Sequence, residues 1–145
     1  MRTRIRNEKG AALLETAITI PIIMLITVGI FEFGRAYQTW QVLTNAAREG
    51  ARVAVIAGST DDQVREVVNN YMTNIGRVSN GANATITIVR NEAVAGWSAG
   101  GSRVTISYPF TFMVDFNAVA RLVTSGSQAG QPFTMQSVAL MRNEG

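Results

Sequence analysis

The chain has 145 residues, a formal net charge of +3 at neutral pH, and neither cysteine nor histidine. Without these two residue types it carries no disulfide framework, no thiolate metal site, no lipidated cysteine and no histidine-based catalytic dyad. The positive charge lies in residues 1–10, because residues 11–145 carry nine Arg against nine Asp and Glu. The sequence therefore lacks the clustered basic surface that nucleic acid requires, and we predict no nucleic-acid partner.

Residues 1–10 form a basic leader in front of an apolar stretch. The basic side chains of the leader are Arg2, Arg4, Arg6 and Lys9. Within about a turn of the other end of the stretch, the charged residues are Glu32 and Arg35. By the positive-inside rule, this asymmetry places the leader in the cytoplasm and the rest of the chain outside. We predict a single-pass protein of the inner (cytoplasmic) membrane with an exported C-terminal domain.

Residues 11–31 are the predicted transmembrane half of a long N-terminal helix. Apart from Glu15 and three threonines they are aliphatic, aromatic, Gly or Pro, and as a helix they rise roughly 31 Å, enough to cross the hydrocarbon core. Pro21 is expected to bend or loosen the helix within the span. A removable secretory signal is the competing interpretation. Its apolar part is usually about 7–15 residues long and ends at small residues, whereas this one ends in Phe31 and Phe33.

Residues 32–58 are the predicted exported half of the same helix. An amphipathic stripe predicts one continuous helix over about residues 11–57. The stripe consists of Tyr37, Trp40, Leu43, Ala47, Gly50, Ala54 and Ala57. Small side chains permit close approach of another backbone, which makes these the predicted helix-packing residues: Ala47, Gly50, Ala51 and Ala54. We expect them to contact either the sheet of the same chain or another helix. Both contacts are possible if they use different sides of the helix.

Residues 59–145 are predicted to form an exported α+β domain. Thr60 and Gln63 have the spacing of a capping box, which predicts a second helix over about residues 60–74. The fold class that follows is α+β, with the long N-terminal helix packed on a small antiparallel sheet.

Alternating β-branched and aromatic residues predict the strands of this sheet. The predicted strands cover residues 84–89, 103–108 and 133–141. A Gly- and Ser-rich tip at residues 95–102 joins the first two strands as a hairpin. Between the second and third strands we predict a short helix around residues 114–122 and a polar loop over 125–132.

A hydrolase-like string, Gly96-Trp97-Ser98-Ala99-Gly100, lies in the tip of this hairpin. The G-x-S-x-G nucleophile elbow needs a strand-turn-helix setting and a histidine base, and this copy has neither. No glycine-rich phosphate loop or metal-ligand cluster stands out elsewhere in the sequence. We predict a structural protein that is not an enzyme and binds no cofactor or metal.

Three segments of the N-terminal third carry a family resemblance. They are Lys9-Gly10-Ala11-Ala12-Leu13-Leu14-Glu15, Phe31-Glu32-Phe33-Gly34-Arg35-Ala36 and Thr44-Asn45-Ala46-Ala47-Arg48-Glu49-Gly50-Ala51-Arg52. The chain closely resembles the TadE-like family of tight-adherence (Flp) pilus proteins over residues 9–56, and the resemblance returns at residues 139–144. It implies a pilin-like fold and a minor pilin or pseudopilin of a tight-adherence, type IVb pilus.

The same resemblance implies a processing site and a set of partners. A prepilin peptidase is expected to cut after the leader glycine, between Gly10 and Ala11. The other expected partners are the major pilin and a sister pseudopilin. Thr16 departs from the pattern of pilin-type sites, which often have an aromatic residue after the glutamate. Whether the subunit lies in the shaft, at the tip or in the assembly platform is left open, and so is its incorporation in the pilus.

Glu15 is the predicted assembly charge. A carboxylate in a membrane span costs on the order of 2.5–3.5 kcal/mol at the bilayer centre and less near an interface, so it needs a partner. After cleavage the new amine of Ala11 is expected to pair with the Glu15 carboxylate of an adjacent subunit. A second interpretation is that Glu15 reaches the interface alone. The alternative function is an anchored, exported binding module that keeps its leader.

Overall fold

The computed structural model describes residues 8–79, 81–114 and 131–143. Its main elements are helix α1, Glu8–Ala54, helix α2, Asp61–Asn70, and strands β1, Thr85–Glu92, β2, Gly101–Phe110, and β3, Phe133–Arg142. The strands form one antiparallel sheet in the order β1-β2-β3. The predicted α+β class, a long N-terminal helix packed on a small antiparallel sheet, is confirmed. The chain divides into two compact units between Gly34 and Arg35.

The first unit holds the apolar part of α1, and its large side chains are exposed. Their exposed fractions run from 42% at Leu25 to 81% at Phe31. The hydroxyls of Thr16, Thr19 and Thr27 donate to carbonyls four residues earlier at 2.7–2.8 Å. These polar groups are therefore satisfied within the helix and need no water. By length and composition, α1 is able to cross a membrane.

The second unit has its core between α1, α2 and one face of the sheet. Side chains alternate along β2, so that Val104, Ile106 and Tyr108 point inward and are buried. The helices contribute Leu43, Ala46, Ala47, Ala51, Ala54, Val64 and Val68 to this core. Because the α1 side chains here are mostly alanines, α1 lies close to its neighbours along this face.

The pairing of the strands follows the predicted hairpin. Ile86 pairs with Ile106 and Ile88 with Val104, and the register shifts after Val89. The regular part of β1 therefore ends where the sequence predicts the strand to end. β2 and β3 pair from Gly101 opposite Arg142 to Phe110 opposite Phe133. All three strands are confirmed, each somewhat longer than predicted.

The second helix and its capping box are also confirmed. The backbone N–H of Gln63 donates to the Thr60 hydroxyl at 3.3 Å, and the Thr60 N–H donates to Gln63 Oε1 at 3.0 Å. After Asn70 the helix continues as a π-helical turn, Tyr71–Ile75, before a short 3₁₀ turn, Gly81–Asn83. The predicted helix around 114–122 and the loop at 125–132 lie almost entirely outside the described residues.

α1 ends at Ala54, three residues earlier than predicted. The Nη1 atom of Arg90, on β1, donates to the Ala54 carbonyl at 2.9 Å and so satisfies one of the last carbonyls of the helix. The next turn tightens, since Ile56 N–H donates to the Val53 carbonyl three residues back, and Gly58 then reverses the chain with a φ of +81°.

Candidate functional site

Glu15 lies on the exposed surface of α1, surrounded by exposed apolar side chains. Its neighbours Leu14 and Ile18 are 65% and 58% exposed. The hydroxyl of Thr19 donates at 2.7 Å to the backbone carbonyl of Glu15, and that of Thr16 to Ala12, so neither is turned to the carboxylate. Among the residues that the structure describes, no hydrogen bond or ion pair engages the Glu15 carboxylate. A partner for this charge in an apolar medium must therefore come from another group or molecule.

The predicted processing site, Gly10 and Ala11, lies in the first turn of α1, which begins at Glu8. Ala11 precedes Glu15 by four residues, so the two stand on one face of the helix about 6 Å apart along its axis. An amine at Ala11 is thus placed at the same end of the helix as the carboxylate. Of the topology residues, Arg2, Arg4 and Arg6 lie outside the described residues, and for Lys9 only the backbone is described.

The predicted helix-packing residues lie inside the core of the second unit. Ala47 and Ala51 are fully buried and Ala54 is 3% exposed. A Cβ added at Gly50 would stand 2.5 Å from Val68 Cγ2 on α2 and 3.4 Å from Val104 Cγ1 on β2. The structure therefore brings these four residues against the sheet and second helix of the same chain. Any contact of α1 with another subunit must use other arcs of the helix.

The predicted amphipathic stripe is wrong at its ends. Tyr37 and Trp40 are 54% and 46% exposed, although the spacing placed them with buried Leu43. At 100° per residue, Tyr37 lies about 120° around the helix from Leu43 and therefore leaves the buried arc. The two exposed rings contact each other with centroids 6.2 Å apart, and Gln41 Nε2 donates to the Tyr37 hydroxyl at 2.7 Å. They form an ordered aromatic patch on α1.

Sequence reasoning missed the role of Arg90. Its Nε donates to Asp61 Oδ1 at 2.7 Å, while Nη1 donates to the Ala54 carbonyl and to Ser59 Oγ. One guanidinium thus ties the end of α1, the turn after it and the start of α2 to β1. Asp61 lies in the first turn of α2, and no local signal in the sequence connects it to a residue 29 positions away.

Sequence reasoning also missed a second cluster, around Arg35. Its guanidinium donates to the Thr111 carbonyl and lies 4.4 Å from the centroid of the Phe110 ring. The Tyr108 hydroxyl donates to the Ser79 carbonyl nearby. Burial raises the pKa of Tyr108, and the positive charge of Arg35 acts in the opposite direction.

Together these features define an α+β protein of pilin-like architecture, with an N-terminal helix that is long and apolar enough to cross a membrane. One helix is apolar and exposed in its first part, and in its second part it packs on a small antiparallel sheet. The model of one protein family, described as TadE-like protein, matches residues 10–52. The resemblance to that family is confirmed for this segment. The match begins at Gly10 of the expected processing site and ends two residues before the end of α1.

The family match points to a structural role associated with a tight-adherence pilus rather than to an enzyme. It covers most of α1 and leaves α2 and the sheet unmatched. Neither the curated proteins nor the solved structures contain a significant match to the chain.

Proposed function

We propose that this protein is a minor pilin or pseudopilin of a tight-adherence (Flp, type IVb) pilus. Residues 11–31 anchor it in the inner membrane with the N-terminus in the cytoplasm, and the domain after residue 58 is exported. It takes part in pilus assembly through packing of α1 against the helices of other subunits. The observation that carries the proposal is the exposed carboxylate of Glu15, the one acidic residue in the apolar sequence 11–31, in a helix that matches the TadE-like family over residues 10–52.

Processing by a prepilin peptidase between Gly10 and Ala11 would change the charge at this end of the helix. It removes the leader and its net charge of +3. What remains is an apolar helix that starts with one positive amine and carries one carboxylate a turn further in. The leader charges that oriented the chain in the membrane no longer hold that end in the cytoplasm.

The amine and the carboxylate then provide a docking pair between helices. In the apolar interior their attraction is strengthened by the low dielectric constant, while the loss of hydration opposes it. Two helices packed side by side satisfy both groups when the amine of one meets Glu15 of the other. The partners in this proposal are the major pilin and a sister pseudopilin.

The surface available for such packing follows from the burial of the rest of α1. Ala47, Gly50, Ala51 and Ala54 are occupied by the core of the chain itself. The exposed apolar side chains of residues 11–31, together with the Tyr37 and Trp40 patch, remain for neighbouring subunits.

The N-terminal mass of the purified protein tests this proposal. We expect a chain that starts at Ala11 in cells that contain the prepilin peptidase and one that keeps residues 1–10 in cells that lack it. An intact leader in both strains would contradict the pilin assignment and support an anchored binding module instead. Location of a C-terminally tagged chain in sheared pili or in membranes then separates a pilus subunit from an assembly-platform component.

A further inference from the structure

A cleft of about 240 Å³ opens in the second unit between α1 and the turn that follows the π-helical segment. Its polar lining comes from Arg35, Gln38, Thr39, Arg77, Ser79 and Tyr108. The turn is pressed tightly against α1, since a Cβ at Gly76 would lie 2.1 Å from Val42 Cγ1. One wall of the cleft is therefore held in place by the close packing of the Gly76 backbone against the Val42 side chain.

The charges that line this cleft are positive. Arg35 and Arg77 both contribute to the lining, and none of the described lining residues is acidic. Arg35 is held by the Thr111 carbonyl and the Phe110 ring. Arg77 is exposed, and no ion pair involves it within the described ranges. Two guanidinium groups with no acidic side chain among the described lining residues suit a negatively charged ligand.

One lining residue of the cleft, Arg35, lies close in the sequence to the end of the proposed membrane span. Arg35 follows Phe31, the end of the apolar stretch, by four residues, or about 6 Å of helix. The polar headgroup layer extends about 5–8 Å beyond the hydrocarbon core on each side of a bilayer. Tyr37, two residues after Arg35, is exposed, and aromatic side chains favour this interface.

We infer that this cleft binds the phosphate of an anionic phospholipid headgroup in the outward-facing leaflet. Arg35 and Arg77 contact the phosphate, with the Gln38 amide as a neutral donor beside them. A guanidinium pair is suited to phosphate oxygens because its N–H groups form charge-assisted hydrogen bonds. The lipid holds the exported domain against the membrane before assembly. The inference rests on the proposed membrane span of residues 11–31.

Lipid retention by the full chain tests the inference. The protein, purified in detergent and stripped of lipid, is incubated with equal amounts of phosphatidylglycerol and phosphatidylcholine, and retained lipid is counted by native mass spectrometry. We expect one phosphatidylglycerol per chain, preferred about fivefold or more over phosphatidylcholine, since each basic side chain near a membrane surface adds about this factor. Equal retention of the two lipids would overturn the inference.

A matched pair of variants identifies the cleft. Arg77→Asn removes the exposed guanidinium and suits the left-handed backbone there, φ +49°, so it should fold and lose the preference. Arg52→Gln removes an exposed arginine from the far end of α1 and should keep it. A preference that survives in Arg77→Asn, or that is lost in Arg52→Gln as well, argues against this cleft.

Two further measurements are needed. The first distinguishes a lipid site from a site for free phosphate, and the second tests the membrane span independently of the cleft. Sodium phosphate added at millimolar concentration should leave the lipid bound, whereas its displacement would mean a site for free phosphate and would overturn the lipid assignment. Flotation of the chain with phosphatidylcholine vesicles tests the membrane span by itself. A chain that does not float contradicts the anchor and with it the lipid site, whereas one that floats without preferring phosphatidylglycerol contradicts the cleft alone.

Discussion

Gly50 on α1 and Val68 on α2 approach so closely that a Cβ at position 50 would stand 2.5 Å from the Val68 Cγ2 atom. Both positions are in the interior, and Val68 is fully buried. Glycine in a helix interior costs about 1 kcal/mol relative to alanine. The close packing that it permits in this core outweighs that cost.

Gly50→Ala is therefore expected to destabilise the exported domain. The methyl group forces Val68 or Val104 out of position, and overpacking of this kind typically costs about 1–3 kcal/mol. The higher helix propensity of alanine offsets about 1 kcal/mol of this cost. We expect a net loss of up to about 2 kcal/mol in the free energy of unfolding, measured by denaturant titration of the detergent-solubilised chain.

Gly34→Ala is the matched control, because Gly34 lies in the same helix and a Cβ there meets no atom within 4 Å. It should leave stability unchanged or raise it slightly. If Gly50→Ala were as stable as Gly34→Ala, the tight contact between α1 and α2 would not exist in solution.

The parts of the fold that the sequence predicts well depend on local signals. Thr60 and Gln63 stand three residues apart, so their capping box is readable without any tertiary knowledge, and it is present in the structure. The alternation of Val104, Ile106 and Tyr108 likewise predicts both a strand and its buried face.

The parts that could not be predicted depend on contacts between distant residues. At the end of α1, the Ala54 carbonyl accepts a hydrogen bond from Arg90, which lies 36 residues further along the chain. The exposure of Tyr37 depends on how much of the α1 circumference the sheet covers. A spacing of three or four residues identifies one face of the helix but not how wide the buried part of that face is. Gly76 could be recognised as a turn residue, but not as one wall of a cleft with Arg77 and Arg35.

Arg90→Met should destabilise the domain by about 2–3 kcal/mol. The change removes a charge-assisted hydrogen bond to Asp61 and leaves the buried Ala54 carbonyl without the Arg90 donor. Thermal unfolding measures the effect. Arg52→Met is the control. Arg52 is 72% exposed, and its ion pair from Nη1 to Glu49 Oε2 is long at 3.9 Å and therefore weak, so the substitution should change stability by less than about 0.5 kcal/mol. Equal effects of the two substitutions would contradict the role assigned to Arg90.

Tyr108 should make the domain lose stability in alkaline solution. Burial raises the pKa of its phenol above the ordinary value of 10.0, although the charge of Arg35 partly opposes this. The neutral phenol is thus favoured in the folded chain, so the unfolded chain loses its proton first as the pH rises. The contribution is complete below about pH 10 and is lost as the pH rises through the folded pKa.

Unfolding of the wild type and of Tyr108→Phe between pH 8 and 11 checks this prediction. The variant should be less stable at pH 8, because the donation to the Ser79 carbonyl is lost, and its stability should fall less steeply above pH 10. Parallel pH profiles for the two proteins would show that Tyr108 is not the group responsible.

Gly10→Ala should slow removal of the leader. The Gly10–Ala11 bond lies within α1, and a peptidase acts on a locally opened chain, so the first turn must unwind before cleavage. Alanine stabilises that turn by about 1 kcal/mol relative to glycine, which corresponds to a rate about fivefold slower. Pulse-chase labelling measures precursor and mature chain. Gly29→Ala, a glycine beyond the cleavage site with open space around it, should be processed at the normal rate. Equal processing of the two variants would exclude this site.

Glu15→Gln should leave membrane insertion intact and impair assembly. Glutamine keeps the shape of the side chain but cannot form an ion pair with an amine, and breaking a buried pair typically costs about 3–5 kcal/mol. We expect recovery of the chain with its sister subunit to fall by at least about tenfold, since tenfold corresponds to only about 1.4 kcal/mol. Thr16→Val is the control, because the Thr16 hydroxyl is already satisfied by the Ala12 carbonyl, so this variant should assemble normally. Normal recovery of Glu15→Gln, with both variants equally resistant to alkaline extraction from membranes, would mean that Glu15 reaches the interface alone and docks no partner.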